Sequence, residues 1–292
     1  MTIYVPPGLP AARILRSAGI AISDAPAMDV LGSRRLRIVL INLMPDKPAT
    51  EKHFASVLAA AGRPVELTLV RPESHISKNA SVEHMARFYQ TWSQAKAGHV
   101  DGVIVTGAPV EMLPFEDVDY WQELTAIMAE IRRRKIPLLA ICWAAQAALY
   151  HYHHVPKHVL EKKAFGVFEQ QVFQHGSPSV KGMGNHFPCP VSRHTEVRWS
   201  DILYVPDLHV AAASNETGLC LVEERSANAL YMFNHLEYGS RTLAREYWRD
   251  VANGSAINVP SNLFVGDDPA GPIHNDWRNP GLSFFQNWTA KL

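Results

Sequence analysis

The chain has 292 residues, with 28 lysines and arginines against 28 aspartates and glutamates, and 47% of it is hydrophobic. Zero formal charge excludes nucleic-acid binding through a general basic surplus, and that hydrophobic share excludes wholesale disorder. A chain of this length buries about 75% of its unfolded surface, enough for one large α/β domain or two smaller ones.

Residues 1–34 read as an irregular lead-in, interrupted by Pro6, Pro7, Pro10 and Pro26, with one helical stretch from about Ala11 to Ser17. A single catalytic domain is expected over residues 35–292. At Leu36 an apolar, β-branched run of strand length begins, and it ends at Asn42. Met44-Pro45-Asp46-Lys47-Pro48 breaks the run, and a helix is predicted from about Thr50 to Ala61, closed by Gly62. Residues 65–70 read as a second strand and 82–95 as one helix. A third strand, 102–107, has a glycine exit. Residues 119–134 read as helix, 136–141 as a fourth strand, and Trp143 to about Tyr150 as an alanine-rich helix. In the second half, strands are expected at 165–173, 208–212, 219–223 and 229–233, and a helix at 242–251. The tail from Asn258 to Pro280 reads as loop, and 282–292 as a closing helix.

Continuous apolar strands alternating with helices mean βαβ units. The fold class is therefore α/β: a mostly parallel sheet with helices on both faces. In such sheets chemistry gathers beyond the carboxyl ends of the strands. Met44 to Lys47, Gly107 to Glu111 and Cys142 are thus expected on one rim.

Cys142 stands where a buried strand turns directly into a helix. A sharp turn there exposes the sulfur at the rim and aims helix N-terminal N–H groups at whatever it attacks; a helix N-terminus also favours thiolate over thiol. An inert buried cysteine is the bland alternative. His235 and Glu237 follow the strand 229–233 at spacing i, i+2, which puts both side chains on one side. A carboxylate beside an imidazole fixes its tautomer and steadies the imidazolium. With the cysteine elbow, the pair points to a Cys-His-Glu triad.

The cysteine elbow with Gln146 four residues on, and His-x-Glu far downstream, resembles the class I glutamine amidotransferase-like fold, a flavodoxin-like three-layer architecture. Leu40-Ile41-Asn42-Leu43-Met44-Pro45-Asp46-Lys47, Val105-Thr106-Gly107-Ala108-Pro109, the stretch from Ile141 to Leu149, and Trp248-Arg249-Asp250 look like the homoserine O-acyltransferase family of methionine biosynthesis. So does the opening Val5-Pro6 with Leu9-Pro10-Ala11, and the resemblance runs from about residue 3 to 290. It implies Cys142 as acyl-accepting nucleophile, His235 as general base and Glu237 as its orienting partner. It implies Lys163, Ser192 and Arg249 as amino-acid contacts, Lys47 as a lysine close to acyl transfer, and Glu246 as an acidic residue near the triad. The Trp143 N–H and a donor from the Met44 to Lys47 loop are expected to hold the oxyanion.

By the same resemblance Glu111 separates donors, glutamate going with acetyl-CoA and glycine with succinyl-CoA. The substrates expected are L-homoserine and an acyl-CoA, with no permanently bound cofactor or metal, and a homodimer is implied. The pattern departs around the base, where Asn234, Leu236 and Gly239 replace the usual glycine, proline and aspartate. Those departures lie on the acceptor side, where L-serine is the competing acceptor. Succinyl-CoA is the competing donor. A glutaminase is a further alternative, opposed by Ala140 and Ala144 at positions where amidotransferases usually carry glycine. A silent binding protein is another, opposed by the intact triad.

Three cysteines (Cys142, Cys189, Cys220) without a CxxC pair argue against a disulfide framework or zinc knuckle. Cys220 reads as core, and Cys189 has no visible base partner. His151, His153 and His154 read as a helix-end cluster rather than a metal site, and Arg132 to Lys135 as a basic helix end that suits the dipole. No secretory leader is expected at the start, nor any membrane span, so a cytoplasmic location is the default.

Overall fold

The computed structural model describes residues 2–24, 35–75 and 80–292; Pro26 lies outside them. Among these residues one sheet contains twelve strands. They are β1 (Ile3–Tyr4), β2 (Ile22–Ser23), β3 (Leu36–Ile41), β4 (Val65–Val70), β5 (Tyr89–Gln90), β6 (Gly102–Val105), β7 (Leu138–Ile141), β8 (His158–Val172), β9 (His186–Glu196), β10 (Leu208–Ser214), β11 (Gly218–Glu224) and β12 (Ala229–Met232). The helices are α1 (Pro10–Ser17), α2 (Lys47–Leu58), α3 (Val82–Phe88), α4 (Trp92–Ala95), α5 (Trp121–Arg133), α6 (Trp143–His153), α7 (Trp199–Ile202), α8 (Thr242–Ala252) and α9 (Arg278–Thr289).

The strand order is β2-β1-β4-β3-β6-β7-β12-β11-β10-β8-β9, with β5 added to β4. From β2 to β12 every pairing is parallel; from β12 to β9 every pairing is antiparallel. Alternate residues of the parallel strands feed two cores. Leu36, Ile38, Leu40, Ile104 and Leu139 pack with Phe54 of α2 and Phe284 and Trp288 of α9. Val39, Val103, Val105 and Ala140 pack with Leu124 and Met128 of α5 and the alanines of α6. Burial on both faces is why β6, β7 and β12 read as apolar runs, while half-exposed Arg37 interrupts β3 and Glu66 and Thr68 interrupt β4.

Four local outcomes differ from the expectations. First, α2 begins at Lys47 because the Asp46 side chain caps it by accepting the Ala49 N–H at 3.1 Å. Pro48 falls in its first turn, where a missing N–H costs nothing. Second, the single helix expected over 82–95 is split, with Tyr89 and Gln90 pairing Leu69 and Val70 before Thr91 caps a new turn. Third, β9 occupies a stretch where no strand was expected. Pro188 and Pro190 obscure it, and it tolerates them because it lies at the end of the sheet order. Fourth, the lead-in is not irregular throughout: β1 pairs β4 in parallel and β2 extends it, so residues 3–23 widen the sheet.

Candidate active site

β3 lies between β4 and β6, so connections from the carboxyl end of the sheet leave in opposite directions and a crevice opens there. The loop after β3, the loop after β6 and the residue after β7 meet in that crevice. They line a cavity of about 340 Å³ that includes Met44, Gly107, Glu111 and Cys142. This is the rim the strand pattern predicted.

Cys142 links β7 to α6 with φ 54° and ψ −117°. A side-chain residue is rarely held there, at a cost of about 1–3 kcal/mol. Its N–H is locked onto the Met232 carbonyl at 2.7 Å, and its carbonyl accepts from Ala145 and Gln146, the first turn of α6. The strained conformation turns the sulfur out of the helix and into the cavity. Gly107 makes room for it: a Cβ there would sit 3.2 Å from the Cys142 Cβ and 3.6 Å from Sγ. Among the described residues the Trp143 N–H has no backbone acceptor, and the Trp143 ring packs against Phe115 and Tyr120.

His235 follows β12 and is buried. Its Nδ1 faces Glu237 Oε1 at 2.7 Å. Burial alone would lower the imidazole pKa, but the charge of the Glu237 carboxylate, followed by that of the Cys142 sulfur, raises it well above its usual value. The thiol and the ring line one cavity, and the carboxylate is bonded to the ring. Tyr238 stacks on the imidazole at 4.1 Å between centroids and 16° between planes. The loop lacks the family's proline but is anchored: the His235 N–H donates to the Pro190 carbonyl at 2.9 Å, and the Trp277 indole N–H to the Tyr238 carbonyl at 2.8 Å. Leu236, in the proline's place, is buried beside Gly281, where a Cβ would collide with its carbonyl.

The cavity wall carries the remaining polar groups. Glu246 on α8 accepts from the Ser192 hydroxyl of β9 at 2.7 Å and from the Tyr238 hydroxyl at 3.0 Å. Asp250, one position beyond Arg249, takes the Arg249 Nε–H at 2.7 Å and faces the Lys163 ammonium at 3.8 Å. Lys163 also rests over the Phe165 ring at 4.0 Å. Glu111 is fixed by the His194 N–H at 2.9 Å and the Thr195 hydroxyl at 3.3 Å, so its carboxylate staples the loop after β6 to β9.

Lys47 lies beside the site, outside the wall of the cavity that holds Cys142. Its ammonium donates to the Asn42 carbonyl at 2.6 Å and lies 5.9 Å from the Tyr89 ring, and it lines a neighbouring cavity rather than the one holding Cys142. Burial, only partly opposed by Glu51, lowers its pKa to about 8. The Met44 to Lys47 loop is also a poorer oxyanion donor than expected. The Met44 N–H is bound to Asn42 Oδ1 and the Lys47 N–H to the Pro45 carbonyl. Gln146 is buried and pairs with Thr195 through its side chain, tying α6 to β9. Cys189 and Cys220 are buried core thiols. His153 contacts Glu224 at 3.1 Å, and no group of three metal-ligating side chains converges among the described residues. No helix among them is long and apolar enough to cross a membrane.

Sequence reasoning gave no role to Tyr238 or Asp250. Each adjoins a residue it did single out, but only the fold brings α8, β8 and the β12 exit against one cavity.

Three comparisons bear on this arrangement. Solved structures share the fold at low identity: a glutamine amidotransferase from Thermotoga maritima (TM-score 0.57, 10% identical, covering 88% of this chain and 97% of its own) and one from Methylobacillus flagellatus (TM-score 0.55, 13% identical, covering 89% and 96%). The architecture is thus class I glutamine amidotransferase-like. Curated relatives are much nearer in sequence. A protein of Rhizobium rhizogenes named homoserine O-acetyltransferase is 44% identical over 292 residues, covering 100% of this chain and 95% of the relative. One of the same name from Hyphomonas neptunium is 45% identical over 291 residues, covering 99% and 94%. The model of the family described as homoserine O-succinyltransferase matches residues 2–291, and the chain belongs to that family.

Proposed function

We propose that this protein transfers an acetyl group from acetyl-CoA to the hydroxyl of L-homoserine through an acetyl thioester on Cys142, a step of methionine biosynthesis. The observation that carries the reading is the strained Cys142 elbow, which shares with the buried, Glu237-bonded His235 a cavity walled by Lys163, Ser192, Glu246 and Arg249.

In the first half-reaction the Cys142 thiolate attacks the thioester carbonyl, the carbon–sulfur bond to coenzyme A breaks, and the imidazolium of His235 gives the departing sulfur its proton. Exchange of one thioester for another is nearly neutral in free energy, which suits a cysteine nucleophile. In the second, the homoserine hydroxyl loses its proton to His235 as its oxygen attacks the acyl carbon, and Cys142 leaves as thiolate. Glu237 holds the Nδ1–H throughout and stabilises the imidazolium. The Trp143 N–H is the first oxyanion donor. Gly107 and Ala108, whose N–H groups make no backbone bonds among the described residues and which line the cavity, are better second donors than the Met44 to Lys47 loop. Losing one such donor costs about 3 kcal/mol. Arg249 offers its forked guanidinium to the substrate carboxylate, with Lys163, Ser192 and Glu246 completing the amino-acid site.

The fixed Glu111 carboxylate favours the acetyl donor. A succinyl carboxylate about 4 Å from it would be repelled by roughly 4 kcal/mol at an effective dielectric near 20. The same reading has the enzyme act in the cytoplasm as a homodimer, and its three free cysteines fit a reducing compartment. Intact-protein mass spectrometry after mixing with acetyl-CoA or succinyl-CoA tests the proposal. One acetyl group should appear on Cys142 and be discharged by L-homoserine faster than by L-serine. Faster succinylation defeats the donor argument, and undiminished turnover by Cys142→Ala defeats the covalent mechanism.

A further inference from the structure

Three carboxylates line the cavity that holds Cys142, and their surroundings differ. Asp250 has two cations beside it, Arg249 at 2.7 Å and Lys163 at 3.8 Å. Glu111 is spent on β9, where it takes the His194 N–H and the Thr195 hydroxyl. Glu246 has no basic side chain within ion-pair distance among the described residues. Its partners are two neutral hydroxyls, Ser192 on Oε2 at 2.7 Å and Tyr238 on Oε1 at 3.0 Å. A half-buried carboxylate held only by neutral donors lacks a counter-charge. An amino acid entering the cavity brings one, its α-ammonium.

The hydroxyl that fixes Glu246 Oε1 belongs to a ring with a second contact. The chain folds back after His235, the Tyr238 N–H donating to the His235 carbonyl at 3.3 Å. That turn lays the phenol ring flat on the imidazole, 4.1 Å between centroids and 16° between planes. Tyr238 is 6% exposed and its carbonyl takes the Trp277 indole N–H, so the ring has a fixed seat. A flat aromatic face attracts an imidazolium through the ring quadrupole, and it limits how far the imidazole can tilt away from Glu237. Burial, then the charges of Glu246 and Glu237, push the phenol pKa well above its usual value, so the hydroxyl stays a donor.

We infer that Tyr238 is a two-sided positioning residue: its ring face steadies the His235 imidazole in the cavity shared with Cys142, and its hydroxyl aims the Glu246 carboxylate at the ammonium of the acceptor. The inference rests on the acyl-transfer reading above and places the ammonium within it. Tyr238→Phe keeps the ring and loses the hydroxyl; Tyr238→Leu loses both. Acetylation of Cys142 without acceptor reads the ring, and the dependence of its discharge on L-homoserine concentration reads the hydroxyl. Tyr238→Phe should slow acetylation less than about three-fold while raising the homoserine KM about ten-fold. 4-Hydroxybutyrate, which is homoserine without its ammonium, should discharge Tyr238→Phe no worse than the unmodified protein. Tyr238→Leu should slow acetylation about ten-fold or more. Iodoacetamide, which needs neither co-substrate, should alkylate Cys142 more slowly in Tyr238→Leu than in Tyr238→Phe. Tyr238→Met replaces the leucine variant if that one does not fold.

Equal acetylation rates in the phenylalanine and leucine variants overturn the role of the ring. A homoserine KM within about two-fold of the unmodified value in Tyr238→Phe overturns the role of the hydroxyl. So does an equal loss with both acceptors, which would mean that the substitution acts on the fold or the chemistry. An unmodified protein that never carries acetyl on Cys142, yet whose alkylation is slowed by the leucine and not the phenylalanine substitution, supports the role of the ring and refutes the acyl-transfer reading instead.

Discussion

Replacing Glu237 by glutamine keeps the side-chain volume and removes one charge 2.7 Å from His235 Nδ1. At an effective dielectric near 20, two unit charges at that distance attract by about 6 kcal/mol. The amide oxygen retains a neutral hydrogen bond worth about 1 kcal/mol, and relaxation of the site recovers part of the rest. A loss of roughly 3–5 kcal/mol in stabilising the imidazolium remains, so acetylation of Cys142 should slow about 10²–10⁴-fold. Rapid-quench mass spectrometry reads this step directly. The substitution also has a pH signature. In the unmodified protein the His235 pKa is raised, so its contribution to stability is fully present below the unfolded value near 6.5 and is lost as pH climbs through the raised folded value. Urea midpoints taken upward from pH 6.5 should therefore fall further in the unmodified protein than in Glu237→Gln. Slowing of less than ten-fold, with matching pH slopes, would refute the idea that this carboxylate supports the imidazolium.

Gly107→Ala should crowd Cys142, whose Cβ would lie 3.2 Å from the added methyl. We expect about 1–3 kcal/mol lost in stability and Cys142 acetylation at least ten-fold slower, and an unchanged rate would show that the sulfur does not need that space. His53 supplies a second pH test. Burial, helped by Lys52, lowers its pKa to about 3, so it stays neutral when folded while the unfolded chain takes up a proton below about 6.5. Its share of stability should drop by up to about 1.4 kcal/mol per pH unit from there down toward 3. His53→Gln should be less acid-sensitive in urea titrations between pH 4 and 7; parallel curves would count against the buried neutral imidazole.

Much of the molecule was legible from local pattern. The inner parallel strands are buried on both faces, so β3, β6, β7 and β12 declare themselves as mainly apolar runs, and β4 as an alternating one. Cys142 was legible because a strand passes into a helix without a loop. What escaped depends on contacts remote in sequence. The break at Tyr89 cannot be read from residues 82–95, because it serves a buried contact of the Tyr89 hydroxyl with Glu51 at 2.8 Å and with Asn42 at 2.8 Å. β9 was hidden by two prolines that only an edge position tolerates. Lys47, which the resemblance puts close to acyl transfer, sits where the chain turns into α2, and its ammonium reaches the Asn42 carbonyl, a contact that local pattern does not show.

The contact between Glu111 and the backbone of β9 joins two choices that chemistry would keep apart. One carboxylate is assigned to rejecting a bulky anionic acyl group, and the same oxygen anchors the strand bearing Ser192, which helps shape the berth for the incoming alcohol. A lineage that exchanged this side chain to accept another thioester would also slacken the opposite wall. Selectivity for the two co-substrates is in that sense mechanically geared, and changing one without disturbing the other calls for a compensating brace at His194 or Thr195.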